Sequence, residues 1–257
     1  MAINVNTVYQ TVLLILNKEQ RGYMTPTEFN DIGNQVQLEI FEKYFEDINQ
    51  QIRVPQTDTD YADRVENIDE KIAIFKTYGN AVYVVGPPAY WVLPNTDAYG
   101  NDVSPTSLTP FYRLGTVTYN NEVLVQRLDR NDFYTINKSL LTKPTKSFPA
   151  YLYENNNLFI LPTDITTAGD IQVEFLRKPA PPIWGFDVGS LGQYTYNNTP
   201  FTPTTAPTGS RNFELHISEQ TSLILKILLY AGIVIRDPQI VQAAAQQVQA
   251  EEINEKS

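Results

Sequence analysis

The sequence predicts an α+β protein in which an N-terminal helical hairpin and C-terminal helices flank a central antiparallel β domain. Two patterns carry that prediction. Apolar residues recur every three or four positions near both ends of the chain, the period of a helix with one buried face. Between them the period falls to two, and the runs are bounded by Asn and Gly pairs and by Pro, as in short strands joined by tight turns. Composition agrees: the 257 residues include 17 Pro, 16 Tyr and 12 Phe, with 42% hydrophobic and 19% charged residues, which fits a turn-rich globular chain with aromatic contact surfaces. The expected divisions are a helical region over 1–70, a β domain with a Pro-rich strap over 71–185, a mobile Thr/Pro-rich loop over 186–212, and C-terminal helices over 213–257, interleaved in one body.

Taken in order, Val8, Val12, Ile15 and Leu16 mark a first helix that Gly22 can end. Thr25 then stands before Pro26, with Glu28 three residues on, so a capping box with Pro at the first helical position starts a second helix. Phe29, Ile32, Val36, Ile40, Tyr44 and Ile48 run along one side of it for about 25 residues, roughly 37 Å. Acids crowd this region: ten lie between Glu39 and Glu70 against three bases. Glu39, Glu42, Glu46 and Asp47 form its candidate acidic face.

Strand signals begin at Ile72. Ile72 to Thr77 and Ala81 to Val85 are expected to pair across Tyr78, Gly79 and Asn80, and Tyr90 to Leu93 can add a short strand. Tyr112 to Tyr119 and Glu122 to Leu128 form a second hairpin across Asn120 and Asn121, and Asp129 or Asn131 caps a short helix reaching about Leu141. Ala150 to Glu154 and Leu158 to Leu161 form a third hairpin across three asparagines. Ile171, Val173 and Phe175 make one face of a further strand that stops at Lys178 and Pro179.

Pro179, Pro181 and Pro182 fix φ and lack backbone donors, so the chain should leave the sheet extended and turn Ile183 and Trp184 outward or onto a neighbour. Residues 218–235 are apolar enough to be buried. Asp237 and Pro238 start a last helix whose thin seam of Ile240, Val241, Ala244 and Val248 suits contact with another helix. Pro181, Pro182, Trp184, Ile240, Val241, Ala244 and Val248 are therefore the candidate subunit interface.

Chemistry is sparse. The chain has one histidine, His216, and no cysteine, so it lacks the residues of a thiolate metal site or a disulfide, and His216 reads as a helix-cap or interface residue. Gly185, Gly189 and Gly192 do not have the spacing of a nucleotide-binding loop. Asp58, Asp60, Asp97 and Asp102 beside Trp91 or Trp184 could in principle serve a glycosidase, and Asp58 with Asp60 a calcium loop, yet solvated loop acids explain them as well. No catalytic residue, cofactor or metal site is expected. A net charge of −10 argues against a sequence-reading DNA protein. No signal peptide is expected, and the apolar run from Leu223 to Ile235 contains Lys226 and is too short for a membrane span.

The order PTKSFP (Pro144 to Pro149), the Asn-turn hairpin, RKPAPPIWG (Arg177 to Gly185) and LLYAGIVIRDPQIVQ (Leu228 to Gln242), with YMTPTEFNDIGNQVQLEIFEKYF (Tyr23 to Phe45) ahead of them, resembles the head-to-tail neck ring proteins of tailed bacteriophages, most closely those of crAss-like phages. These blocks span most of the chain, and each is a structural pattern. The resemblance implies a non-enzymatic virion protein assembled in the host cytoplasm, forming a ring of twelve copies. It implies the portal protein and other neck or tail proteins as partners, with double-stranded DNA passing through unbound and no membrane contact. Lysines and arginines cluster in the middle region and acids in the first helices, so copies could meet by opposite charge. The competing expectation is a carbohydrate-binding or adhesive β module using the Tyr, Trp and Asn loops at 90–99 and 194–198; a minor tail hydrolase is a weaker third.

Overall fold

The computed structural model describes residues 2–18, 24–53, 60–202, 209–235, 242 and 245–250, with 18, 48–53, 60–66 and 233–235 known by backbone alone. The chain is α+β and forms two compact units: Met1–Ile74 with Pro179–Ser257, and Phe75–Lys178 inserted between them. Three helices come first, α1 (Val5–Lys18), α2 (Pro26–Arg53) and α3 (Asp60–Ala73). Strands β1 (Lys76–Asn80), β2 (Val82–Val84), β3 (Tyr90–Val92), β4 (Phe111–Tyr119), β5 (Val123–Leu124) and β6 (Gln126–Arg127) follow. Helix α4 (Arg130–Lys138) precedes β7 (Ala150–Glu154), β8 (Asn157–Leu161) and β9 (Ile171–Arg177). The chain returns to the first unit through β10 (Phe186–Val188), β11 (Tyr194–Tyr196) and α5 (Gln220–Ile235).

In the helical unit the local signals act as read. Thr25 and Glu28 close the capping box: the Thr25 backbone N–H and hydroxyl donate to Glu28 Oε2 at 2.9 and 2.7 Å, and the Glu28 N–H donates to Thr25 Oγ1 at 3.3 Å. Those bonds hold the Glu28 carboxyl below its ordinary pKa, the backbone donor of Thr25 being the main cause. Asn4 caps α1, its Oδ1 accepting from the N–H groups of Asn6 and Thr7. Val8, Val12 and Leu16 of α1 and Phe29, Val36, Ile40 and Tyr44 of α2 are buried, while Ile15 is 37% exposed. Helix α5 packs on both α1 and α2 and α3 packs on α2. Leu223 and Ile227 of α5 are fully buried, each contributing about 1.5–3 kcal/mol.

The β unit contains two sheets, one ordered β1-β9-β4-β5 and one ordered β2-β3-β8-β7-β6. All pairings are antiparallel except β6 with β7. Both sheets feed one core, with Trp91, Tyr151, Leu158 and Ile160 from one and Val117, Ile171, Val173 and Phe175 from the other. The Asn turns behave as expected: Asn120, Asn121, Asn155 and Asn156 all take positive φ, between 49° and 59°.

The expected hairpin over Ile72 to Val85 does not form. Ile72 and Ala73 complete α3, and β1 and β2 lie in different sheets, the chain passing from one to the other at Ala81. Gly79 sits inside β1 opposite Val173. A Cβ there would lie 2.9 Å from the Thr96 carbonyl oxygen, so the glycine serves close backbone approach and not a turn. The strap also falls outside the β unit, which closes at Lys178 and not at Gly185. Residues 186–202 are not a featureless loop: β10 and β11 form an antiparallel hairpin.

Candidate functional site

The strap runs extended along α2. Its three prolines remove donors, so the remaining backbone groups at Ala180, Ile183, Trp184 and Gly185 must all find partners. Two amide side chains of α2 supply three of them. Gln37 Nε2 donates to the Ala180 carbonyl at 2.8 Å, and Asn30 Oδ1 accepts from the Trp184 N–H at 2.7 Å while its Nδ2 donates to the Trp184 carbonyl at 3.3 Å. Asn30 and Gln37 are seven residues apart, two helical turns on one face, a rise of roughly 10 Å set against the roughly 13 Å covered by the four extended steps from Ala180 to Trp184. The Ala180 N–H donates to Glu214 at 2.8 Å, Ile183 exchanges backbone bonds with Arg211, and the Gly185 N–H donates to Ser210 Oγ.

Trp184 is therefore buried, at 4% exposure, with its indole N–H donating to Asn6 Oδ1 at 3.0 Å and its ring 4.4 Å from Tyr9 and 5.6 Å from Tyr196. Pro182 is buried as well, and Pro181 half-buried. The expectation that Pro182 and Trp184 face a neighbouring subunit is corrected: the donors of α2 draw the strap inward, where it is an internal clamp. Ile240, Val241 and Ala244 lie outside the described residues; residues 245–250 are helical and Val248 is half-buried.

The acidic face divides. Glu39 accepts from Lys226 Nζ at 2.7 Å and from the Tyr230 hydroxyl at 3.1 Å, and Lys226 is only 4% exposed. Burial, then the Glu39 charge, pushes the Tyr230 hydroxyl above its ordinary pKa. Glu39 thus commits its charge to partners within its own unit, although its side chain is 40% exposed. Asp47 is half-buried and engaged within the chain. Glu42 and Glu46 are exposed, and with exposed Asp31 and Gln35 they follow one face of α2.

The groups considered for catalysis are likewise occupied. Asp97 is 6% exposed; its Oδ1 accepts from the N–H groups of Tyr99 and Asn101, and its Oδ2 from the Thr77 hydroxyl and the Asn101 amide. Burial alone would raise its pKa, but the bonds from Asn101, Thr77 and Tyr99 together outweigh it and hold the carboxyl low. A carboxylate so held is a poor proton donor. Asp102 caps the Ser104 N–H, which holds it low too. Trp91 is buried at 2% and packs against Tyr83, so neither tryptophan offers a platform for a sugar. His216 caps a 3-10 turn, its Nδ1 accepting from the Ser218 N–H, and Glu219 is paired with Lys71 at 2.5 Å. Asp58 lies outside the described residues, and of Asp60 only the backbone, the first residue of α3, is described. Among the described residues no three His, Cys, Asp or Glu side chains gather to hold a metal ion, and no helix is long and apolar enough to cross a membrane.

No protein-family model and no curated protein matches the chain.

What remains is surface, and one stretch of it, legible in the sequence by its charge, also exposes apolar side chains. Helix α4 buries no residue, and the chain beyond it exposes Leu140 at 100%, Leu141 at 96% and Phe148 at 80%. Tyr134 adds to this at 56%. The same stretch carries Lys138, Lys143 and Lys146, all exposed, and no acid between Phe133 and Pro149. The sequence signal was the pair Leu140 and Leu141 set among Lys138, Lys143 and Lys146, where the expected helix ends. A smaller apolar tip, with Val188 at 62% and Leu191 at 90%, sits on the β10–β11 hairpin. The charge is divided by unit: residues 75–178 hold nine acids and nine bases, so the net −10 belongs wholly to the helical unit.

Proposed function

We propose that this chain is a structural virion protein that forms a ring in the neck of a tailed phage, joining portal to tail and letting the genome pass through its channel. The observation that carries the reading is how polar groups are spent. His216, Asp97, Glu219 and Glu39 are each committed to a cap, a loop or an ion pair. Three strongly exposed apolar side chains, Leu140, Leu141 and Phe148, instead fall within nine residues of one basic segment. Such a molecule is equipped to make contacts and not to turn over a substrate. The resemblance of its sequence blocks to neck ring proteins supplies the setting: about twelve copies, the portal and other neck or tail proteins as neighbours, and assembly in host cytoplasm. The excess acid of the helical unit would keep DNA from adhering as it passes.

Cryo-electron microscopy of purified virions, with the neck averaged under the portal's symmetry, tests this. Density for this fold as a closed ring between portal and tail is the expected result, and its absence from the neck removes the proposal. A carbohydrate-binding module is the second reading, resting on the exposed Tyr99, 73% accessible and 5.9 Å from the Tyr78 ring. Binding of the soluble chain on a glycan array, lost in Tyr99→Ala, would favour it.

A further inference from the structure

We infer that the segment from α4 to Phe148 of one copy docks on the acidic face of α2 of a second copy, so that successive subunits join head to tail. The inference rests on the ring reading and specifies its contact. Leu140 and Leu141 are at or near full exposure and Phe148 is 80% exposed, so little among the described residues covers them. Within nine residues of chain they can share one contact, and a contiguous exposed apolar patch marks an interaction site. The occupant is set by charge. The arm carries three lysines and no acid over 133–149, and the excess acid of the molecule lies entirely in the helical unit. There Asp31, Glu42 and Glu46 stand exposed along one side of α2. That unit also exposes Leu14 at 55% and Ile15 at 37% on α1.

Arm and stripe are different surfaces of one chain. Pairing them between copies is heterologous, and such contacts propagate until a ring closes or a filament grows. An acidic partner of another kind could satisfy the lysines equally well, so the test must show that the stripe belongs to the same protein.

Mix unlabelled and nitrogen-15-labelled full-length chain at low ionic strength and couple lysines to carboxylates with a zero-length carbodiimide reagent. Mixed-isotope links from Lys143 or Lys146 to Asp31, Glu42 or Glu46 are expected. Links confined to other surfaces, or no link between copies, overturn the contact. Two charge-reversed variants sharpen the result: Lys143→Glu with Lys146→Glu, and Glu42→Lys with Glu46→Lys. Every altered side chain is exposed, so folding should be kept, and circular dichroism checks this. Each variant alone should self-associate about a hundredfold more weakly than the wild type, because like charges then face each other. The two mixed together should associate as the wild type does, since both pairings become attractive again. A mixture that fails to recover overturns the inference. Failure of the broader reading looks different: filaments or pairs joined through arm and stripe, with no ring in the virion, keep the contact and remove the ring. A virion ring linked through other surfaces does the reverse.

Discussion

Asp97 shows how one carboxylate can organise a loop. Four donors from Thr77, Tyr99 and Asn101 converge on it, and the cost of burying the charge is offset by bonds to every available lone-pair direction. Its folded pKa is depressed, so the stabilisation is present above the unfolded value of about 4 and is lost as pH falls through the lower folded value. Asp97→Asn should destabilise the β unit by about 2 kcal/mol at pH 7. Denaturation at pH 7 and pH 3 should show the gap between wild type and variant shrinking in acid. The Lys226–Glu39 pair makes the opposite point about charge. Glu39→Ala strands a buried ammonium and should cost about 2–3 kcal/mol, less than a fully enclosed pair because Glu39 itself reaches solvent. Lys226→Met should be near neutral, since it removes the charge along with its need. Thermal unfolding of the two variants side by side checks the contrast.

At the scale of elements, local rules and long-range partners divided the work. The box at Thr25 and Glu28, the stripe from Phe29 to Tyr44 and the Asn-Asn turns were legible because every group involved lies within a few residues. Helix α3 was not separated from its surroundings, although Tyr61, Val65, Ile68 and Ile72 keep helical spacing, because its acids drew the reading to charge. The placement of Trp184 was hidden for a different reason. Pro-rich segments usually sit at edges, and nothing nearby in sequence reveals that Asn30 and Gln37, more than a hundred residues earlier, supply the missing bonds. Of the candidate site, Glu42 and Glu46 stayed exposed, Glu39 turned out to be paired internally, and the apolar exposure of the arm was overlooked because exposure is a property of the fold. The strap allows a direct check. A Cβ on Gly185 would lie within 2.3 Å of the Gly209 carbonyl oxygen, backbone that cannot swing aside. Gly185→Ala should destabilise the helical unit by about 2–3 kcal/mol, read by chemical denaturation.

Across the whole molecule, sequence order and spatial grouping part company. The helical unit is assembled from the first 74 residues and those after Lys178, and the β unit interrupts it. That interruption is closed at its base. Lys76 pairs with Leu176 and Thr77 with Phe175, and the Arg177 N–H donates to the Phe75 carbonyl at 3.1 Å. The two ends of the inserted unit are thus fastened to each other by its own sheet, not merely near one another. A unit tied off in this way behaves as a cassette. Its first and last residues already lie side by side, so joining them would allow it to be reopened elsewhere as a circular permutant.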